Sequence, residues 1–357
     1  MPTELTSHER FSRMYEHKQA DRVPITDDPW GATLERWHDE GLPKDVAWEE
    51  FFGVDRVAGI GADNSPQYPR KTLEETADYR IETTAWGVTT KNWKHAGGVP
   101  EFIDFTIVDE DSWRQAKKRM TPSRDRIDWK RLEDNYAAWR KRGMWIEGGF
   151  WFGFDITHAG VVGTERLLMA LSEKPQWCMD MFNTELDLNI QLFDMVLDEG
   201  YKPDVITWPD DLGFKDHQFM SLDMYRNLLK PVMKRAVDWA HSKGMYTRLH
   251  SCGNVMPFVP EFVEIGIDAL NPMEVKAGMD PIAIKKRFGD RLVLHGGMNA
   301  AVWHEFDKFS AEMKRLIPVL KENGGYIFSS DHSIPSAVSL ETFRKTVELA
   351  KQLGSYE

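Results

Sequence analysis

The sequence predicts a single domain folded as a closed (β/α)8 barrel, and three observations support this. Short runs rich in Val, Ile, Leu and aromatic residues recur along the 357 residues, as in buried parallel strands. Stretches with apolar residues at spacings of three and four follow most of these runs, which indicates amphipathic helices. No glycine-rich nucleotide loop follows the first run, and this argues against an open doubly wound sheet, the rival architecture.

Eight apolar runs are the candidate strands. They are RVPIT (22–26), RVAGIG (56–61), MWIEGGF (144–150), DVITW (204–208), YTRLH (246–250), DALNP (268–272), LVLHG (292–296) and YIFSS (326–330). Eight strands separated by helices imply a barrel in which every strand points the same way.

The helices between the later strands carry clear periodic patterns. Residues 174–199 place apolar side chains along one stripe, and residues 307–322 and 339–353 are similar. Residues 221–243 also read as a helix, but Pro231 has no backbone N–H and should kink or split it.

The region 64–143 fits the barrel pattern poorly. It contains TTAWGVTTKNWKHAGGVPEF, which is typical of a β-rich segment, followed by two polar helical stretches near 111–119 and 128–141. We therefore predict one domain over 1–357, with 64–143 as a subdomain inserted after the second strand.

Composition excludes several classes of partner. The formal net charge is 45 − 57 = −12 and no Lys/Arg cluster is visible, which argues against nucleic acid and anionic membrane surfaces. The N-terminus is charged and polar, so no signal peptide is expected, and no apolar run reaches the roughly 20 residues of a membrane span. Two cysteines make no disulfide framework, so we predict a cytoplasmic protein, with Cys178 on a helical apolar face and buried in the core.

Metal-ligand residue types follow three of the predicted strands. In a barrel, chemistry lies at the carboxyl ends of the strands. His250 and Cys252 follow the fifth strand, Glu274 the sixth and His332 the eighth. A thiolate, two imidazoles and a carboxylate form the tetrahedral set that zinc favours. A His-x-Cys pair alone is weak, since cysteine is often simply buried, but the two further residues strengthen the prediction.

Other strand ends supply candidates for catalysis and substrate binding. Asp63 follows the second strand, and Asp210 and Asp211 follow the fourth; these carboxylates are predicted to orient substrate or move a proton. We expect at least one of the last two to cap the following loop, and the other is as readily a cap as a substrate contact. The predicted substrate contacts are Trp30, Trp151, Phe152, Asn271 and His295. Packing is the more ready interpretation of the two tryptophans, and His295 could equally be a core histidine beside glycines.

Three segments resemble one known family. ERFSRMYEHKQADRVPI, LHSCGNV and GYIFSSDHSIPSAVSLETF look like the uroporphyrinogen decarboxylase superfamily. The resemblance implies a distorted (β/α)8 barrel. It also implies one of two activities: metal-free decarboxylation of a porphyrinogen, or zinc-dependent methyl transfer serving corrinoid proteins, coenzyme M and methoxylated substrates.

The segment after the first strand separates the two branches of that family. Decarboxylases carry an arginine-rich segment there, which holds the substrate carboxylates. This chain reads TDDPWGATLERW, and Asp27 and Asp28 would repel a substrate with many carboxylates. Asp63 resembles the decarboxylase aspartate after the second strand.

The methyltransferase branch matches the histidine–cysteine motif. Its thiol-activating members carry His-x-Cys after the fifth strand, which His250 and Cys252 reproduce, and a cysteine after the eighth, where this chain has His332. Glu274 lies 22 residues after Cys252, the spacing of a glutamate ligand in the cobalamin-independent methionine synthases. Replacing a cysteine ligand by histidine makes zinc more electrophilic, which suits activation of an ether oxygen as well as a thiol.

We therefore predict a zinc-dependent methyltransferase that moves a methyl group between a small substrate or thiol and a corrinoid carried by a partner protein. Resemblance implies a homodimer as the common assembly. Two alternatives stay open from the sequence: a metal-free decarboxylase acting on another carboxylated substrate, and a corrinoid-binding protein without chemistry of its own.

Overall fold

The computed structural model describes residues 4–95 and 99–356, and its central element is a seven-stranded, curled parallel sheet. In spatial order its strands are Val57–Gly61, Trp145–Gly149, Val205–Pro209, Tyr246–His250, Ala269–Asn271, Val293–His295 and Tyr326–Ile327. Spatial order equals chain order and every pair is parallel, so all carboxyl ends meet at one edge. Seven of the eight predicted strands are confirmed in an α/β sheet consistent with a barrel.

The first predicted strand, 22–26, is not a continuous strand, and this part of the prediction was wrong. Ile25 makes a single parallel bridge to Phe328, whose N–H donates to Pro24 O at 2.9 Å. On its other side, Ile25 O accepts from Asp55 N at 2.9 Å. A longer ladder cannot form, because the Ile25 N–H donates to the Asp55 carboxylate at 2.8 Å and Pro24 has no N–H. The segment therefore lies between Phe328, which follows the last strand, and Asp55, which precedes the first, and it contacts each by two hydrogen bonds.

The amino-terminal helix Ser7–Tyr15 covers the amino ends of the strands. Phe11 stacks on Trp145, the first residue of its strand, with ring centroids 5.3 Å apart. Deeper in, Asp55 is fully buried between the guanidinium groups of Arg10 and Arg22, at 3.0 and 2.6 Å. A buried carboxylate is tolerated when it is paired and hydrogen-bonded in this way. This end of the sheet is thus closed by packing and ion pairs.

Between the strands Val57–Gly61 and Trp145–Gly149 the chain forms a separate antiparallel sheet and two helices. The strands are Lys71–Glu75, Tyr79–Thr83, Val88–Trp93 and Glu101–Phe105, and the helices are Glu110–Lys117 and Trp129–Lys141, with a 3₁₀ turn at Arg124–Arg126. Residues 96–98 of the segment predicted as β-rich lie outside the described residues. The division into a barrel and an inserted subdomain stays a prediction.

Helices flank the sheet. They are Gly31–Asp39, Trp48–Phe52, Thr164–Glu173, Pro175–Asp198, Lys230–Ser242, Val259–Ile265, Pro281–Phe288, Phe306–Leu320 and Leu340–Gly354, with short turns at Phe154–Ile156, Thr157–Val162, Leu222–Met224, Val275–Ala277 and Ala300–Val302, and a small hairpin of Gly213–Phe214 and His217–Gln218. The predicted disruption at Pro231 is confirmed, because a π-type turn over Tyr225–Leu229 precedes Lys230–Ser242. Within the described part of the chain, no helix is both long and apolar enough to cross a bilayer.

Candidate metal centre

The concave face of the sheet is unusually open near its first strand. Side chains alternate along a strand, so Gly59 and Gly61 share one face of Val57–Gly61. A Cβ atom added at either glycine would meet no atom within 4 Å. Barrels of this type normally fill their interior with bulky branched side chains. Here the glycines leave a hollow that a ligand can occupy.

A cavity of about 390 Å³ lies against this face at the carboxyl ends of the strands. Its lining includes four residues singled out from the sequence: His250, Asn271, His295 and His332. His250 faces the cavity because side chains alternate along a strand, and every second side chain of Tyr246–His250 points toward this space.

Three side chains with metal-binding atoms converge after the strands. A carboxylate oxygen, an imidazole nitrogen and a sulfur lie within 4.8 Å of one another, and they belong to Asp211, His250 and Cys252 respectively. Among the described residues, this is the one group of three or more such side chains that meets this distance. Cys252 Sγ lies 3.4 Å from His250 Nε2, which is 3.8 Å from Asp211 Oδ1. The Cys252 N–H also donates to Asp211 Oδ1 at 2.8 Å, so the loop after the neighbouring strand is tied to the cysteine.

Asn271 fixes the orientation of the His250 ring. Its Oδ1 lies 2.6 Å from His250 Nδ1, and its Nδ2 donates to His295 O at 3.2 Å, which settles which end of the amide faces the histidine. His250 Nδ1–H therefore donates to Asn271, and in the neutral ring the lone pair is on Nε2, facing Cys252 and Asp211. Metal-binding histidines in proteins almost always have their second nitrogen held in this manner.

The electrostatics of the cluster favour a bound cation. Burial raises the pKa of the Cys252 thiol, and the carboxylates of Asp211 and Glu274 raise it further. Burial likewise raises the pKa of Asp211, with His250 opposing the shift. Anions are disfavoured here by lost solvation and mutual repulsion, and a divalent cation among them would offset both. Thiol, imidazole and carboxylate together form a donor set that fits zinc.

Glu274 and His332, the other two predicted ligands, lie outside the three-residue group. Glu274 Oε2 accepts from the N–H of Gly253, the residue after Cys252, at 2.6 Å, and its Oε1 pairs with Lys276 at 3.1 Å. His332 stacks on Trp30 with ring centroids 5.7 Å apart. Burial lowers the pKa of His332, with Lys276 adding to the effect, so this ring is neutral and able to accept a metal.

An arginine–glutamate pair crosses the cavity and was missed from the sequence. Arg248 Nη2 donates to Glu147 Oε2 at 2.6 Å, and Nη1 lies 3.3 Å from His295 Nδ1. Burial, followed by the Arg248 charge, lowers the pKa of His295 well below its usual value, so this imidazole is neutral. The signal was present, because Arg248 lies two residues before His250 and must share its face of the strand.

Asp210 faces the core and not the cavity. Its Oδ1 accepts from Asp155 N at 2.8 Å, while Oδ2 is buried and has no hydrogen-bond partner among the described residues. Burial raises its pKa well above the usual value, which favours the protonated form. Glu185, buried nearby, accepts from Gly153 N at 3.1 Å, and burial raises its pKa to about 8.

Two of the remaining candidates line a different cavity. Asp63 and Trp151 border a space of about 510 Å³ beside the antiparallel sheet and its helices. Phe152 is fully buried and packs on Trp208 with centroids 5.4 Å apart, so it serves the core. Trp30 is 37% exposed and covers His332.

Fold and site together define an α/β protein with a thiol–imidazole–carboxylate cluster at the carboxyl edge of a curled parallel sheet. The family model described as uroporphyrinogen decarboxylase (URO-D) matches residues 156–353, more than half of the chain. The chain belongs to this family.

Three solved structures are similar to this chain at low sequence identity, and the first of them shares its fold. A methyltransferase from Methanosarcina mazei is 19% identical, with a TM-score of 0.66 over 98% of this chain and 99% of that one. A B12-independent methionine synthase from Shewanella sp. W3-18-1 is 10% identical, with a TM-score of 0.40 over 94% and 95% of the two chains. A 3-keto-D-glucoside 4-epimerase from E. coli is 12% identical, with a TM-score of 0.34 over 63% and 84%. No curated protein sequence matches significantly.

Proposed function

We propose that this protein is a zinc-dependent methyltransferase that moves a methyl group between a small methylated or methoxylated substrate, or a thiol, and a corrinoid carried by a partner protein. The convergence of Asp211, His250 and Cys252 carries the metal half of this proposal. The URO-D family and the fold shared with a methyltransferase support the reaction class. The corrinoid rests on the resemblance alone. A closed (β/α)8 barrel, completed by residues 22–26, is the proposed scaffold.

Three protein ligands fit the usual design of a catalytic zinc site, which keeps one position for substrate. His250 would bind through Nε2, while Asn271 holds its Nδ1–H. One thiolate and one carboxylate would balance the charge of Zn²⁺. Bound zinc would act as a Lewis acid toward the oxygen or sulfur of the substrate. Glu274 and His332 remain proposed ligands, and one of them would hold the fourth position until substrate displaces it, since both border the cluster.

The charge of the cavity argues against a porphyrinogen. Among the described residues that line it, the arginine is Arg248, which is already paired with Glu147, while Asp27, Asp28 and Glu49 also line the space. Burial raises the pKa of Asp27 to about 6, which reduces the negative charge of the cavity but does not abolish it. A substrate with many carboxylates would be repelled, whereas a neutral methyl donor would not.

The other cysteine of the chain, Cys178, provides a matched control for measurements of zinc content. Purified protein should contain close to one zinc per chain by elemental analysis. Cys252→Ala and Asp211→Asn should remove most of it. Cys178→Ala should leave the zinc content unchanged, because this cysteine lies on the helix Pro175–Asp198 and is fully buried in the protein core. Glu274→Gln and His332→Ala reveal which residue, if either, supplies the fourth ligand.

If the protein were a metal-free decarboxylase, the zinc measurements would give the opposite result. Wild-type protein would then hold only traces of zinc, and Cys252→Ala would match Cys178→Ala in every assay. Methyl transfer to added cob(I)alamin, generated with a chemical reductant and followed by its visible absorbance, tests the reaction itself, because the Co(I) electron pair forms the new bond to the methyl group. A protein that binds zinc but never methylates cobalamin from any methoxylated or thioether donor would contradict the proposed reaction.

A further inference from the structure

The second cavity, of about 510 Å³, combines cationic and aromatic side chains. It opens at Gly61, the carboxyl end of the first sheet strand, and its wall includes Arg70, Trp86, Arg131 and Trp151. None of these side chains has a role in the zinc cluster. The cavity therefore needs its own explanation.

Trp151 is an exposed indole on a rigid backbone. Its side chain is 46% exposed, yet its carbonyl oxygen accepts from Asn64 Nδ2 at 2.5 Å and from Asn189 Nδ2 at 3.0 Å. Asn64 and Asn189 are both buried, so the backbone that carries the indole is anchored to the core. A tryptophan side chain has only two rotatable bonds, so it loses little entropy when a flat ligand stacks on it.

The cavity also carries unneutralised positive charge. Within residues 4–95 and 99–356, Arg70 and Arg131 are exposed and form no ion pair with a carboxylate, although the Arg131 guanidinium lies 5.5 Å from the Trp139 ring centroid. Arg126 is buried and donates to backbone carbonyls, among them Asp63 O and Ser65 O, both at 2.8 Å. Among the described residues it makes no ion pair within 4.0 Å, although the carboxylates of Asp63 and Asp125 act on its charge from further away.

Two carboxylates in the lining are engaged by neighbouring groups. Asp63 accepts from Ser65 N at 2.9 Å and Asp128 accepts from Arg131 N at 3.0 Å, where it caps the helix Trp129–Lys141. Three arginines and two aspartates leave a net charge of 3 − 2 = +1, in a chain whose formal charge is −12. This locally positive cavity contrasts with the acidic one beside the zinc cluster.

We infer that this second cavity binds a planar aromatic group that carries a negative charge. Trp151 would stack on the ring, and Arg70 and Arg131 would bind the anion through their guanidinium N–H groups. Two sources share this chemistry: an aromatic carboxylate, and a phosphorylated nucleotide. A smaller cavity of about 270 Å³ is also lined by Gly61 and Arg131. It shares Glu147 with the cavity at His250. A longer ligand would therefore have a path along the open strand face.

Calorimetric titration with simple probes tests this inference. Naphthoate and adenosine monophosphate represent the two sources. Naphthamide keeps a ring without charge, and acetate and inorganic phosphate keep charge without a ring. At least one aromatic anion should bind about 10-fold or more tightly than its partial analogues, as expected when stacking and a charge-assisted hydrogen bond both contribute.

Substitutions within the cavity should weaken that binding selectively. Arg70→Gln and Arg131→Gln are each expected to cost about 3- to 10-fold in affinity, as for partly exposed charge pairs, and Trp151→Leu about 5-fold or more. The controls are Trp93→Leu, since Trp93 is 48% exposed on the antiparallel sheet, and Arg344→Gln on the helix Leu340–Gly354. Both should retain wild-type affinity.

The relative affinities of the two anions identify the source. Tighter naphthoate binding indicates an aromatic acid, and tighter nucleotide binding indicates a phosphorylated base. The inference is overturned if neither anion binds better than naphthamide, or if the double variant R70Q/R131Q keeps full affinity. Cys252→Ala should leave probe binding unchanged, so this inference and the zinc proposal fail separately.

Discussion

Removing the Asn271 side chain should weaken zinc binding without destroying the cluster. In Asn271→Ala, His250 loses the acceptor that lies 2.6 Å from its Nδ1, and the ring is free to rotate or to place its proton on Nε2. Loss of such an outer partner typically costs about 10- to 100-fold in metal affinity, or about 1.4–2.7 kcal/mol. Asp211 and Cys252 keep their mutual contact through the Cys252 N–H, so binding should be weakened but retained.

Competition against a chromophoric zinc chelator measures this change directly. Asn135→Ala is the matched control, because Asn135 lies on an exposed helix surface and its Nδ2 donates only to Arg131 O among the described residues. Its zinc affinity should equal that of the wild type. If Asn271→Ala is folded by circular dichroism and binds zinc as tightly as the wild type, the orientation assigned to His250 is refuted.

Further predictions concern the open strand face and the buried acid. Gly59→Ala should be neutral or stabilise the fold by up to about 1 kcal/mol, because its Cβ meets no atom within 4 Å. Gly148→Ala should destabilise it by about 1–3 kcal/mol, since its Cβ would lie 2.7 Å from Ile206 Cδ1. For Glu185, whose folded pKa of about 8 exceeds its usual 4.5, stability should fall as pH rises between these values, by up to about 1.4 kcal/mol per unit. Glu185→Gln should remove this loss.

Thermal unfolding reports on all three substitutions. The sign for the buried acid follows from proton uptake: above pH 4.5 the unfolded chain releases the Glu185 proton, whereas the folded chain retains it until about pH 8. The advantage of Glu185→Gln over wild type should therefore grow from pH 5 to pH 8. A constant difference would show that Glu185 is ionised in the fold, and equal effects of Gly59→Ala and Gly148→Ala would contradict the hollow at the first strand.

Local patterns predicted most of the sheet and the centre of the site. The apolar runs predicted seven of the strands, and the His-x-Cys motif after the fifth predicted strand identified His250 and Cys252. The first strand was predicted from the same kind of run, but Asp55 takes the Ile25 N–H that a ladder would need. That carboxylate is distant in sequence, and no local pattern could reveal the competition.

Asp211, the third member of the cluster, could not be identified from the sequence, because its position depends on tertiary contacts. Asp210 and Asp211 are adjacent aspartates, and the sequence did not distinguish them. The fold turns one into the core toward Gly153, while the other accepts the Cys252 N–H and reaches the cluster. In the same way, the position of Trp151 beside arginines of another segment depends on how residues 64–143 fold, which strand periodicity does not determine.

X-ray absorption at the zinc edge tests the central claim most directly. Protein loaded with one equivalent of zinc should show one sulfur at about 2.3 Å and a shell of nitrogen and oxygen at about 2.0–2.1 Å. The sulfur shell should vanish in Cys252→Ala and persist in Cys178→Ala. A zinc ion with only nitrogen and oxygen neighbours in the wild type, or a sulfur shell that survives Cys252→Ala, would contradict a metal centre built on Asp211, His250 and Cys252.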